Sequence, residues 1–183
     1  MANTDAPRGL WPIRHLTGGE VRLQTYDIDV SDATLITAGD LVKRETDGNI
    51  TRAANNETYL GVADGFSWID ADGNQQHSRQ IPATKTNFTS LKALIYDDPF
   101  IVFGIQADGN TVEADIFATF PAVVGAGNTT TKLSIFELDT TGGTGDDVKI
   151  IGKIDTPNNA WGTNVNVEVV IVDHAYLTSP AGV

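Results

Sequence analysis

Two acidic clusters come nearest to metal-binding chemistry in this sequence. The run Asp70-Ala71-Asp72-Gly73-Asn74 opens like a calcium-binding loop, in which carboxylates at alternate positions precede a glycine. Its glycine comes two positions early, and Ile81 stands where such a loop needs a bidentate glutamate. A hairpin turn therefore explains this run better than a calcium site does.

The second acidic cluster consists of Asp27, Asp29 and Asp32. Asp27 and Asp29 fall on one face of a predicted strand, because successive side chains of a strand alternate between its two faces. The sequence alone leaves open whether a surface cation binds near this cluster or near Asp70 and Asp72.

The other chemistry-bearing residues form no recognisable catalytic arrangement. His15, His77 and His174 lie far apart, and none has a second histidine at metal-ligand spacing. The single run Asp139-Thr140-Thr141-Gly142 has the wrong spacing for an aspartic protease, whose chemistry also needs a second carboxylate. There is no cysteine, no Gly-x-Ser-x-Gly motif and no phosphate-binding loop with its lysine. We expect no enzymatic activity, no cofactor and no metal, although a hydrolase that uses two of the many carboxylates stays open.

The charge of the chain narrows the classes of partner. It carries 24 acidic and 12 basic residues, for a net charge of −12. The imbalance lies mostly in residues 93–183, where Lys132, Lys149 and Lys153 are the only bases. Such a surface repels phosphate backbones, so we expect no nucleic-acid partner. No apolar run approaches the ~20 residues that span a bilayer, and no secretory signal is recognisable, so we expect no membrane association.

The first twenty residues predict an extended arm, here called the N-terminal arm (residues 1–20), ahead of a β-rich body over residues 21–183. Pro7 and Pro12 disfavour helix, and Gly9, Gly18 and Gly19 add backbone freedom. The arm also carries apolar side chains that a solvated tail would lack: Leu10, Trp11, Ile13 and Leu16. We therefore expect it to dock, either on its own body or on a neighbouring chain.

The rest of the chain predicts many short strands separated by turns. Alternating apolar and polar residues, with turn signals such as Asp47-Gly48 and Asp72-Gly73, recur every 8–12 residues. Only Val112–Phe120 could hold a short helix, ended by Pro121. The predicted fold class is all-β: a single β-sandwich or β-barrel domain with an extended N-terminal arm and little helix.

The arm and several short motifs resemble the capsid decoration (cement) proteins of tailed bacteriophages, of the type found in marine and aquatic phages. The motifs that carry this resemblance are Ala2–Leu10, Pro12–Leu16, Gly39–Val42, Gly61-Val62, Ile81–Ala83, Tyr96–Pro99, Phe103–Gly109 and Ile150–Gly152. The resemblance covers most of the chain and is best in the first 110 residues.

The resemblance implies a structural virion protein on the outer surface of an icosahedral capsid. It would bridge subunits of the major capsid protein as a homo-oligomer, with a trimer favoured. On this hypothesis Pro7, Leu10, Trp11, Ile13 and Leu16 dock on the shell, and Arg8 and Arg14 meet its acidic surface. The alternative is a tail-associated or receptor-binding β module that contacts a host glycan through the loops at residues 125–131 and 140–147.

Overall fold

The structure is a computed structural model that describes residues 3–141 and 145–177. Met1, Ala2 and residues 142–144 and 178–183 lie outside the described residues. Residues 142–144 belong to the loop predicted at 140–147. The strands in chain order are β1 (Trp11–His15), β2 (Gln24–Asp27), β3 (Ile36–Thr37), β4 (Leu41–Arg44), β5 (Ile50–Arg52), β6 (Gly61–Ile69), β7 (Gln75–Ser78), β8 (Gln80–Ile81), β9 (Thr89–Tyr96), β10 (Ile101–Gln106), β11 (Asn110–Thr111), β12 (Thr119–Phe120), β13 (Ala122–Val123), β14 (Glu137–Leu138), β15 (Val148–Lys153), β16 (Gly162–Thr163) and β17 (Asn166–Ile171).

Two antiparallel sheets make up most of the architecture. The first sheet has five strands in the order β1-β10-β17-β15-β12. The second has six strands, in the order β2-β9-β6-β4-β5, with β7 also paired to β6. Because β6 is nine residues long, it pairs with β4 near its start and with β7 near its end. This confirms the predicted all-β, sandwich-like fold.

The hydrophobic core lies on both faces of the second sheet. Leu41 and Val62 point into one cluster, shared with Phe103, Val148 and Val167 of the first sheet. The neighbouring residues in sequence, Val42 and Ala63, point into a second cluster on the opposite face. The alternation of side chains along a strand therefore places consecutive apolar residues of β4 and β6 in two different cores.

Several predicted turns and strands are confirmed. Asp47-Gly48 forms the hairpin between β4 and β5, and Gly48 takes the positive φ that this turn requires. The run Asp70–Asn74 forms the hairpin between β6 and β7, where Asp70 and Asn74 close the turn through a backbone hydrogen bond of 3.0 Å.

Other predicted elements differ from the structure. The apolar and polar alternation predicts a strand over Lys132–Leu138, but the structure has only β14 there, and Leu133 forms isolated bridges with Ala38 and Asn128. The helix expected within Val112–Phe120 is a single 3-10 turn at Glu113–Asp115. It ends before Pro121, because Ile116 is extended and Phe117 has a φ of 71°.

Candidate docking surfaces

The described part of the N-terminal arm lies along the protein's own body, which is one of the two outcomes left open by the sequence. Strand β1 pairs antiparallel with β10, from Trp11 opposite Gly104 to His15 opposite Ile101. Beyond the strand, the Leu10 N–H donates to the Gly39 carbonyl at 2.9 Å. Any docking residue of the arm is therefore held in place by the body.

Two apolar side chains anchor the arm. Leu10 is 2% exposed and belongs to the core shared by the two sheets. Trp11 lies so close over Gly104 that a Cβ at position 104 would overlap the indole ring. The Arg8 guanidinium in turn stacks on the indole, 3.7 Å from the ring centroid. The structure therefore places Leu10 and much of Trp11 against their own body.

The other predicted docking residues of the arm are more accessible. Ile13 is 37% exposed and Leu16 is 49% exposed. The Leu16 N–H donates to the Phe100 carbonyl at 2.7 Å, and Phe100 is itself 43% exposed. We call these three residues, together with Arg14, the arm face. Pro7 is half-buried and lies outside it.

Arg14 is not a free cation. Its guanidinium donates to the Glu168 carboxylate of β17 at 2.7 Å, and close to half of the Arg14 side chain is exposed. Because β17 is two strands away from β1, this ion pair spans the outer face of β10. Arg14 can therefore contact a partner only with the part of its guanidinium that Glu168 leaves free.

Strand β1 is at an edge of its sheet but is poorly suited to accept a further strand. Pro12 lacks an N–H, and the register shifts between Pro12 and Arg14, so Ile13 forms a bulge. A proline, a bulge and a charged side chain are devices that protect a sheet edge from pairing. The arm face is therefore suited to side-chain contacts with a partner and not to strand addition.

A pocket of about 120 Å³ lies beside the anchored part of the arm. Its walls are apolar at Leu10, Trp11, Pro12 and Leu133, and we call it the arm pocket. Its charged lining residues are Arg8, Arg79 and Asp64. Neither arginine forms an ion pair within 4.0 Å among the described residues. Burial lowers the pKa of Arg8.

The opposite edge of the same sheet carries an exposed aromatic residue. Phe117 is 72% exposed, the highest fraction among the large apolar residues that the structure describes as exposed. Its φ of 71° is strained for a bulky side chain. The Phe117 N–H donates to the Ile150 carbonyl at 2.8 Å, and the 3-10 turn at Glu113–Asp115 precedes it. We call Val112, Glu113 and Phe117 the knob.

A buried polar cluster holds the end of the described chain. The Asp97 carboxylate is 1% exposed and accepts hydrogen bonds from the hydroxyls of Tyr26 at 2.6 Å and Tyr176 at 3.2 Å. His174 is fully buried, accepts the Tyr176 N–H at Nδ1, and has no partner for Nε2 among the described residues. Burial lowers the pKa of His174, against the opposing effect of Asp97 and Asp98.

The acidic clusters do not form a metal site in the described residues. The Asp70 carboxylate accepts the N–H groups of Asp72 and Asn74, which completes the hairpin turn. Asp27 pairs with Lys92 and Asp32 accepts the Thr51 hydroxyl, so the members of the other cluster have separate partners. Within residues 3–141 and 145–177, no three acidic or histidine side chains lie close enough to hold a metal ion.

The histidines also have separate environments. His15 contacts the Asp98 carboxylate at 3.3 Å, His77 lines a shallow depression beside Phe66 and Leu94, and His174 belongs to the buried cluster. Sequence reasoning missed that cluster because Tyr26, Asp97 and His174 are far apart in the chain. Sequence reasoning also missed Arg79 as a pocket residue. Phe117 had a local signal, because it is an aromatic residue between the polar run Glu113–Asp115 and Pro121.

Comparison with known proteins adds no relative. The described residues contain no helix with the length and apolarity to cross a membrane. The chain matches no protein-family model, no curated protein and no solved structure.

Proposed function

We propose that this protein is a structural virion protein that decorates the outer surface of an icosahedral phage capsid and bridges subunits of the major capsid protein. The observation that carries the proposal is the arm face: exposed apolar residues on a segment whose neighbours Leu10 and Trp11 are fixed to a β-rich body. A rigid support lowers the entropic cost of binding, because the docking residues are already ordered.

The sequence motifs that resemble decoration proteins support the same role. So does the acidic surface, which repels other particles that carry the same coat and keeps them dispersed. Many weak contacts by symmetric copies on one shell would add up through avidity, so that each arm face needs only modest affinity.

The experiment is the number and location of copies in purified particles of the phage that encodes this chain. Quantitative mass spectrometry, with the major capsid protein as the internal standard, is expected to give hundreds of copies per particle. Antibody labelling viewed by electron microscopy is expected to mark the head. A handful of copies located on the tail would contradict decoration and would support the tail-associated alternative.

A further inference from the structure

Residues 173–177, here called the C-terminal segment, are attached to the body on either side of a buried histidine. The Tyr59 N–H donates to the Asp173 carbonyl, and the Ala175 N–H donates to the Tyr59 carbonyl, both at 2.8 Å. His174 lies between these two bonds in the sequence, and its side chain is fully buried. The imidazole can therefore reach water only if the segment moves away from Tyr59.

The hydrogen bonds of His174 determine which of its nitrogens carries the proton. Nδ1 accepts the Tyr176 N–H at 3.2 Å. A neutral imidazole has one donor nitrogen and one acceptor nitrogen, so in the attached segment the proton is on Nε2. Nε2 has no acceptor among the described residues. The contact with Tyr176 therefore exists only while His174 is neutral.

A second proton on His174 removes this contact. It must bind at Nδ1, because Nε2 is already protonated, and both nitrogens of an imidazolium are donors. The new N–H would face the Tyr176 N–H, donor against donor. Rotation of the ring away from this clash would break the same contact, and a buried charge without a hydrogen-bonded partner is costly. Protonation therefore weakens the attachment of the segment whichever way the ring responds.

The carboxylates that face His174 do not compensate for its burial. Burial lowers the pKa of His174 by more than Asp97 and Asp98 raise it. The buried Oδ1 atom of Asp97 has no donor within the described part of the chain, so it forms no hydrogen bond with the ring. Asp98 contacts the His15 ring at 3.3 Å instead.

The remaining titratable groups around the segment are three phenols and one carboxylate. They are Tyr26 and Tyr176, whose hydroxyls donate to Asp97, together with Tyr59 and Asp173. Burial raises the pKa of Tyr26 and Tyr59, so both stay neutral. Carboxylates ordinarily titrate near pH ~4 and imidazoles near pH ~6.5. His174 and His15 are therefore the groups near the segment that can change charge in mildly acidic solution.

The apolar core of the body does not depend on the C-terminal segment. Among the described residues, neither apolar cluster includes a residue after Ile171. Tyr176 and Leu177 are both more than half exposed. Release of the segment therefore costs polar contacts and leaves both clusters complete.

We propose that protonation of His174 releases the C-terminal segment from a body that stays folded, so that the segment is attached at neutral pH and free in mildly acidic solution. The attached state requires the neutral ring, whereas the released ring has the ordinary histidine pKa of about 6.5. Attachment is therefore complete above that pH, and the ratio of attached to released segment falls by up to about tenfold with each pH unit below it. The inference does not rest on the proposed function, because it concerns single molecules in solution.

The test is NMR spectroscopy of the full chain, labelled with 15N and titrated from pH 7.5 to pH 4.5. The {1H}–15N NOE reports the motion of each backbone N–H on the ps–ns timescale. The amides of Ala175, Tyr176 and Leu177 are expected to be rigid at pH 7.5 and flexible at pH 4.5, while Val169 in β17 stays rigid throughout. The midpoint of release is expected below pH 6.5, at the same pH as the titration of the His174 ring.

Two variants separate His174 from its surroundings. His174→Asn keeps an acceptor oxygen close to the position of Nδ1 and cannot be protonated, so its segment is expected to stay rigid over the whole range. His15→Asn removes the other imidazole and is expected to leave the release of the segment in place.

Three results would overturn the proposal. The first is a wild-type segment that stays rigid at pH 4.5, and the second is a His174→Asn variant that releases its segment at the same pH as the wild type. The third is a loss of rigidity at Val169 together with the segment, which would show that the whole protein unfolds. If His174→Asn does not fold, the wild-type titration decides: a midpoint of release that differs from that of the His174 ring would contradict the proposal.

Discussion

The two ends of the described chain are attached to the same body by different contacts, with more apolar burial at the N-terminal arm. The N-terminal arm is held by the buried Leu10, by Trp11 over Gly104 and by the pairing of β1 with β10. Residues 172–177 are held by polar contacts: Tyr59 exchanges two backbone hydrogen bonds of 2.8 Å with Asp173 and Ala175, and Tyr176 donates to the buried Asp97.

This difference teaches where each end is vulnerable. Apolar burial does not change with pH, so the arm should stay in place as long as its anchors fit. The buried imidazole of His174, whose pKa is lowered by burial, makes the other end respond to protonation. We therefore expect core mutations to act most strongly at the arm and pH to act most strongly at the other end.

The largest effect is expected from Leu10→Ala. Leu10 is almost fully buried, and removing a buried leucine side chain costs about 2–5 kcal/mol of the free energy of unfolding. Equilibrium unfolding in urea measures this loss. Leu16→Ala, in which the removed side chain is half-exposed, is the matched control and is expected to change stability by no more than about 0.5 kcal/mol. Equal effects of the two substitutions would show that Leu10 does not anchor the arm.

A smaller loss of the free energy of unfolding is expected from Gly104→Ala. The new Cβ would overlap the Trp11 ring, and overpacking of this kind costs about 1–3 kcal/mol. Gly152→Ala in β15 of the same sheet is the control, because a Cβ there has open space around it. The intrinsic tryptophan fluorescence, to which Trp11 contributes together with Trp68 and Trp161, is expected to change in the first variant only. An unperturbed Gly104→Ala variant would contradict the placement of the indole.

The smallest effect concerns pH. Because burial lowers the pKa of His174, the native state binds fewer protons than the unfolded state below the ordinary histidine pKa of about 6.5. The contribution of His174 to the free energy of unfolding is therefore fully present above that pH and is lost as the pH falls below it. His174→Asn is expected to flatten the pH dependence of the unfolding free energy between pH 7.5 and 5. Each unit of pKa shift corresponds to about 1.4 kcal/mol. If the unfolding free energy of the variant depends on pH as steeply as that of the wild type, groups other than His174 cause the pH dependence.

The sequence predicted the elements whose signals are local. The hairpin at Asp47-Gly48 and the strands β10, β15 and β17 follow from turn residues and apolar patterns that lie within a few positions of each other. The apolar pattern breaks at Asp64 and Gly65, so the sequence predicts two strands, Tyr59–Ala63 and Phe66–Ile69. The structure has one strand, β6, with a shift of register at the same place.

The candidate surfaces were predictable only in part. The composition of the arm indicated docking, yet it did not separate Leu10, which faces the core, from Ile13 and Leu16, which remain exposed. That distinction depends on which strand β1 pairs with and on the bulge at Ile13. The arm pocket and the Asp97 cluster combine residues from distant parts of the chain, so no local pattern marks them.

The structure also decides how the arm must be tested. Deleting residues 3–16 would remove an edge strand and a core leucine together, so a loss of attachment could reflect unfolding alone. Point substitutions at the exposed residues of the arm face avoid this problem, because they leave both anchors in place.

The most direct test of the proposed decoration role is therefore the attachment of an arm-face variant to phage shells that lack the wild-type protein. Ile13→Asp combined with Leu16→Asp is expected to keep the wild-type unfolding midpoint within a few degrees and to bind at least tenfold more weakly, while Val30→Asp binds like the wild type. If the folded double variant attaches with wild-type affinity, the arm face does not hold the protein on the capsid.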